Sequence, residues 1–196
     1  MNEIKKVATL ADAEEFQPIA EPAQKEMKLV DVSEFEGKES EKVTEADVDE
    51  IYALTQEMVK FTHARGGVGL AFPQIGIMKQ AFIFLDGADE WKLVINPEFY
   101  PDKGKVSIYE KSLSYEGIYL VQRFKRISTA YYSIYVGKDG KLIMKKYFKQ
   151  MSGMKSFLFQ QLTNICTVGK TAKMCGIPVK IQENNSEEKE KENNES

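Results

Sequence analysis

Along residues 48–62 the apolar and small positions Val48, Ile51, Tyr52, Thr55, Met58, Val59 and Thr62 recur at intervals of three and four. That spacing places side chains on one face of an α-helix. Thr44 followed by Asp47 supplies a capping-box signal ahead of the stripe, and Gly66-Gly67 ends it, so an amphipathic helix is predicted. The pattern then changes. Short apolar or alternating runs cover residues 80–85, 92–95, 106–109, 126–136 and 141–148, with Asp86-Gly87, Asn96-Pro97, Lys103-Gly104 and Asp139-Gly140 as turn signals between them. They predict a mostly antiparallel sheet, with its best hairpin at Lys138-Asp139-Gly140. From Ser152 the helical interval returns through Met154, Phe157, Leu158, Leu162 and Ile165, widened by Phe159 and Cys166, until Gly169. A short strand over residues 177–181 is expected to close the fold. A helix, several strands and a second, buried helix make an α+β order rather than alternating βαβ units.

The pattern also sets the organisation. Residues 1–42 alternate acidic, Ala and Pro positions and read as a partly ordered extension, in which Met27, Leu29 and Val30 suit an edge strand. Residues 43–182 form one domain. Residues 183–196 are nearly all Glu, Asn, Lys and Ser, bury too little apolar area to offset their ordering entropy, and are expected to be a disordered tail. Lys plus Arg total 27 against 30 Asp plus Glu, so no broad basic surface invites nucleic acid or anionic lipid. The start lacks the apolar stretch of a secretory signal, and no run approaches the ~18 apolar residues of a membrane span, so a cytoplasmic protein without a membrane partner is expected. Cys166 and Cys175 match no metal-knuckle spacing and read as free thiols.

His63 is the only histidine. At the end of the first helix it reads as a surface residue beside the helix dipole. A triad would have to use it, yet neither Ser112 nor Ser114 sits in a GxSxG elbow.

Three segments carry more specific information. The first is Gly67-Val68-Gly69-Leu70-Ala71-Phe72-Pro73-Gln74-Ile75-Gly76. Downstream come Ile95-Asn96-Pro97 and then Glu110-Lys111-Ser112-Leu113-Ser114, with Arg123 beyond. The third is Gly153-Met154-Lys155-Ser156-Phe157-Leu158-Phe159-Gln160, followed by Gln161-Leu162-Thr163-Asn164-Ile165-Cys166. In content and order these resemble the three signatures of the peptide deformylase family: GxGLAAPQ with IG following, EGCLS, and QHExDH on a helix. The resemblance implies a sheet wrapped around a buried C-terminal motif helix. It also implies a hydrolase that removes the formyl group from N-terminal formylmethionine, using a divalent iron or zinc ion on one Cys and two His spaced i, i+4.

With Gly153 and Gln160 setting the register, Ser112, Gln161 and Ile165 stand at the three ligand positions, and Leu162 stands at the Glu that serves the metal-bound water. A hydroxyl and an amide are poor ligands for iron or zinc, and Ile cannot ligate at all. Coordination lowers the pKa of bound water from about 15.7 to about 7, and Leu162 has no basic atom with which to accept a proton. No metal or other cofactor is therefore expected, and no catalytic residue beyond remnant positions Gln74, Leu113 and Leu162. Gln74 and the Leu113 N–H match the family's oxyanion donors. A groove is expected from Gly67, Val68, Gly69, Leu70, Gln74, Glu110, Ser112, Leu113 and Arg123. The expectation is a non-enzyme that binds a peptide terminus or a protein partner. Its alternatives are an active deformylase with a metal held elsewhere, and an assembly protein adding strands at an exposed edge.

Overall fold

The computed structural model describes residues 26–87 and 90–179; the tail and most of the N-terminal extension lie outside that range. The predicted first helix is α1 (Val48–Ala64), preceded by a 3-10 turn at Glu45–Asp47. Its capping box is present: Asp47 Oδ2 accepts the Thr44 N–H at 2.7 Å and the Thr44 hydroxyl at 2.8 Å. This leaves Val48, Ile51, Thr55, Met58 and Thr62 as the buried stripe.

Strands β1 (Gly69–Ala71), β2 (Ala81–Leu85), β3 (Trp91–Glu110), β4 (Ile118–Val136) and β5 (Leu142–Ser152) follow, then helices α2 (Gly153–Val168) and α3 (Ala172–Cys175) and strand β6 (Ile177–Val179). The sheet is antiparallel throughout in the order β1-β2-β3-β4-β5, and β6 pairs with the start of β4.

Two expected turns prove to be irregularities inside one strand. Asn96-Pro97 and Lys103-Gly104 lie within β3, at register shifts between Ile95 and Glu98 and between Pro101 and Lys103. Pro97 has no N–H to give a ladder, and Asn96 takes φ 48°. Its side chain ties the spot to the N-terminal segment, with Oδ1 accepting the Val43 N–H at 2.9 Å and Nδ2 donating to Val43 O at 2.8 Å. The predicted hairpin joins β4 to β5, where Gly140 adopts φ 78°. Residues 26–31 form no strand; Val30 N–H instead donates to Gln74 O at 3.0 Å.

Strand β2 explains the two-sided core. Alternation sends Phe82 and Phe84 toward α2, where both meet Phe159 edge-on at 5.3 and 6.2 Å. Ala81 and Ile83 point the other way, into the cluster with Ile51, Met58, Leu70 and Phe72 from α1 and the first signature. A fully buried Phe contributes about 2–3 kcal/mol, so these rings fix α2 against the sheet. Phe35 and Cys166 lie in the same cluster as Phe159. Cys166 is buried and Cys175 exposed, and both are free thiols. Among the described residues no helix is long and apolar enough to cross a membrane.

Candidate functional site

The first signature folds as a strand followed at once by a 3-10 turn, Phe72–Ile75, closed by Gly76 at φ 82°. Its glycines are demanded by proximity. A Cβ on Gly67 would sit 2.8 Å from Leu113 Cδ1 and 2.8 Å from Thr62 Cγ2, and one on Gly69 would sit 2.6 Å from Leu162 Cδ1 and 3.1 Å from Ile83 O. Bare backbone here lets β1 lie directly against α2 and against the loop that carries Ser112.

Gln74 is buried and spends both ends of its amide. Oε1 accepts the buried Ala71 N–H at 2.9 Å. Nε2 donates to Ser114 Oγ at 2.8 Å and to Ser112 Oγ at 3.3 Å. The Ser114 N–H donates in turn to Ser112 Oγ at 3.2 Å, so the second signature forms a tight turn hung from the first.

Helix α2 is held by Gln160, which treats the edge of β4 as a neighbouring strand would. Its Oε1 accepts the Phe124 N–H at 3.0 Å and its Nε2 donates to Phe124 O at 2.9 Å, with Ser156 Oγ donating to the same carbonyl at 2.9 Å. With Gln160 turned to the sheet, the following residue Gln161 faces the second signature and donates to Lys111 O at 3.1 Å.

These elements enclose a cavity of about 240 Å³ lined by Arg65, Gly66, Gly67, Val68, Gly69, Gln74, Lys111, Ser112, Leu113, Leu158, Gln161, Leu162 and Ile165. The structure therefore brings together Gly67, Val68, Gly69, Gln74, Ser112, Leu113, Gln161, Leu162 and Ile165 from three separate segments. Three expected groove residues are placed elsewhere. Leu70 alternates away from Gly69 into the α1 cluster. Glu110 and Arg123 are buried behind the turn as a bidentate pair, Nε to Oε1 at 2.6 Å and Nη2 to Oε2 at 2.8 Å. Burial pushes the Glu110 carboxyl upward, and the Arg123 guanidinium opposes that rise. The sequence reading missed Arg65, Gly66, Lys111 and Leu158. Leu158 was legible, four residues before Leu162 on the same helix face. His63 is exposed and does not line the cavity.

The lining mixes polar and apolar groups with the cations Arg65 and Lys111, and holds no carboxylate. The Ser112 hydroxyl and the amides of Gln74 and Gln161 line it together with the apolar side chains of Leu158, Leu162 and Ile165. The sequence profile of the family described as Polypeptide deformylase matches residues 34–164. The chain belongs to that family.

Among curated relatives, a peptide deformylase of Prochlorococcus marinus is 40% identical over 86 residues, 41% of this chain and 42% of its own length. One of Fusobacterium nucleatum is 37% identical over 101 residues, 50% of this chain and 58% of its own. The chain thus spans about half the length of these curated relatives. The crystal structure of peptide deformylase from Thermotoga maritima shares the fold, with a TM-score of 0.67 at 23% identity, over 79% of this chain and 100% of the other.

The deformylase relatives overturn the expectation of a non-enzyme, since proteins 40% and 37% identical to this chain carry the name of an enzyme. That expectation took the loss of one ligand arrangement as the loss of all activity, which does not follow from the residues. The lining itself does not fit the family's metal. Ser112 and Gln161 offer a hydroxyl and an amide, the Gln74 carbonyl is engaged by Ala71, and Leu162 and Ile165 offer only carbon. Among the described residues no three His, Cys, Asp or Glu side chains stand close enough to hold an ion.

Proposed function

We propose that the cavity receives the acylated amino terminus of a peptide, the substrate class to which the deformylase relatives' name points. The observation that carries this reading is the mixed polar and apolar lining around Gln74, with no carboxylate in it. The Ser112 hydroxyl accepts from Gln74 Nε2 at 3.3 Å and keeps its own O–H to give to an acyl oxygen, with the Leu113 N–H as a further candidate donor from the same turn. The side chains of Leu158, Leu162 and Ile165 line the same space and suit an apolar side chain. At about 240 Å³ the space falls just short of the ~300 Å³ at which clefts for drug-sized ligands begin. It suits a terminal residue rather than a long stretch of peptide. No carboxylate lines it, so a free ammonium would be buried without a partner, whereas a formylated nitrogen carries no charge.

A second reading, hydrolysis of the formyl group, is favoured by the names of the curated relatives. One experiment tests both. Formyl-Met-Ala-Ala amide is titrated into the protein by calorimetry, and formate release is followed in parallel, with and without added divalent iron or zinc. Saturable binding that is lost with unformylated peptide supports the recognition reading, and formate release at a rate proportional to protein supports hydrolysis. No heat and no chemical-shift change at Gln74 up to millimolar peptide would sink the recognition reading.

A further inference from the structure

We infer that the mouth of this cavity takes a carboxylate, so that the bound peptide carries an acidic group just beyond its acylated residue. The inference rests on the recognition reading and adds a charge preference to it. The chain as a whole has net charge -3, yet the cavity lining holds two cations, Arg65 and Lys111, and no carboxylate. Both side chains are exposed, and among the described residues neither has a carboxylate partner within 4.0 Å.

Their roots are fixed. The Arg65 guanidinium lies 3.6 Å over the Phe61 ring, and its Nη1 donates to Phe61 O at 3.4 Å, leaving most of its N–H donors open to a ligand. The Lys111 carbonyl accepts from Gln161 Nε2 at 3.1 Å, which ties the start of the second signature to α2. One cation thus stands at the end of α1 and the other on the Ser112 turn, both on the lining of one cavity. A peptide whose first residue fills that cavity presents its next residue to this rim, where a carboxylate meets both charges without being fully dehydrated. An acidic side chain and the terminal carboxylate of a very short peptide share this chemistry.

The test compares formyl-Met-Glu-Ala amide, formyl-Met-Ala free acid and formyl-Met-Ala-Ala amide by calorimetry at low salt and again at about 0.5 M salt. Two exposed ion pairs give the carboxylate peptides about a fivefold tighter Kd than the uncharged amide, and screening at high salt brings that ratio close to one. A gain confined to the Glu peptide identifies a side chain as the source, and a gain confined to the free acid identifies the terminus. In Arg65→Gln, Lys111→Gln combined, the ratio falls to about one at low salt as well. Equal affinities for all three peptides in the unaltered protein, or a preference that high salt leaves intact, overturns the inference while the recognition reading stands. Failure of every peptide to bind removes both.

Discussion

Replacing Gln74 by Ala separates two roles that one amide performs in this fold. The Ala71 N–H that Gln74 Oε1 accepts is fully buried, and in Gln74→Ala it is left without its partner, at a cost of about 1–3 kcal/mol. The hydrogen bond from Nε2 to Ser114 Oγ, at 2.8 Å, is also lost, which adds about 1 kcal/mol for a neutral pair. Together these give a loss of about 2–4 kcal/mol, read as a lower urea midpoint at unchanged slope. Amide exchange at Ala71 accelerates by the same free energy if the opening is local, while exchange at Phe82 and Ile83 in the strand beside it changes only as far as global stability does. A loss below about 1 kcal/mol with Ala71 still protected would refute the reasoning, because it would mean that the 3-10 turn finds another acceptor for that N–H.

Two further predictions concern stability alone. A Cβ on Gly169, which caps α2 at φ 60°, would lie 2.0 Å from Phe35 O and 2.8 Å from Gly37 N. The left-handed backbone alone costs about 1–2 kcal/mol, so Gly169→Ala is expected to lose more than about 2 kcal/mol in urea unfolding, and an unchanged midpoint would contradict this contact. The Asp47 carboxyl is held down to about 2 from 3.8, chiefly by the Thr44 N–H and then by Lys79. A carboxyl whose folded value lies below its unfolded one stabilises the fold above pH 3.8, and that contribution disappears as the pH falls toward 2. Asp47→Asn should therefore unfold earlier than the unaltered protein at about pH 6 and match it near about pH 2; a gap of constant size across that range would show that the carboxylate charge is not involved.

The sequence made the helices legible because their stripes are long and their ends carry Asp47, Gly66 and Gly169, residues with a specific capping or stopping role. It made the wall residues Ser112, Gln161, Leu162 and Ile165 legible because family resemblance sets their register. Strand β3 was harder. Asn96-Pro97 and Lys103-Gly104 have the composition of turns, but a pairing partner as long as β4 carries the strand through both places as irregularities. Leu70 was misplaced because a groove was drawn from consecutive residues, whereas strand alternation sends neighbours to opposite faces. Glu110 and Arg123 satisfy each other, a pairing visible only once β3 and β4 are set in register.

The grip of Gln160 on Phe124 reaches beyond the site. Strands β5 and β6 leave a stretch of the β4 margin between them, and this side-chain amide occupies its hydrogen-bonding groups at Phe124. A foreign strand seeking to extend the sheet there would first have to prise the cavity's own helix away, so that margin is closed to augmentation for as long as the pocket keeps its shape.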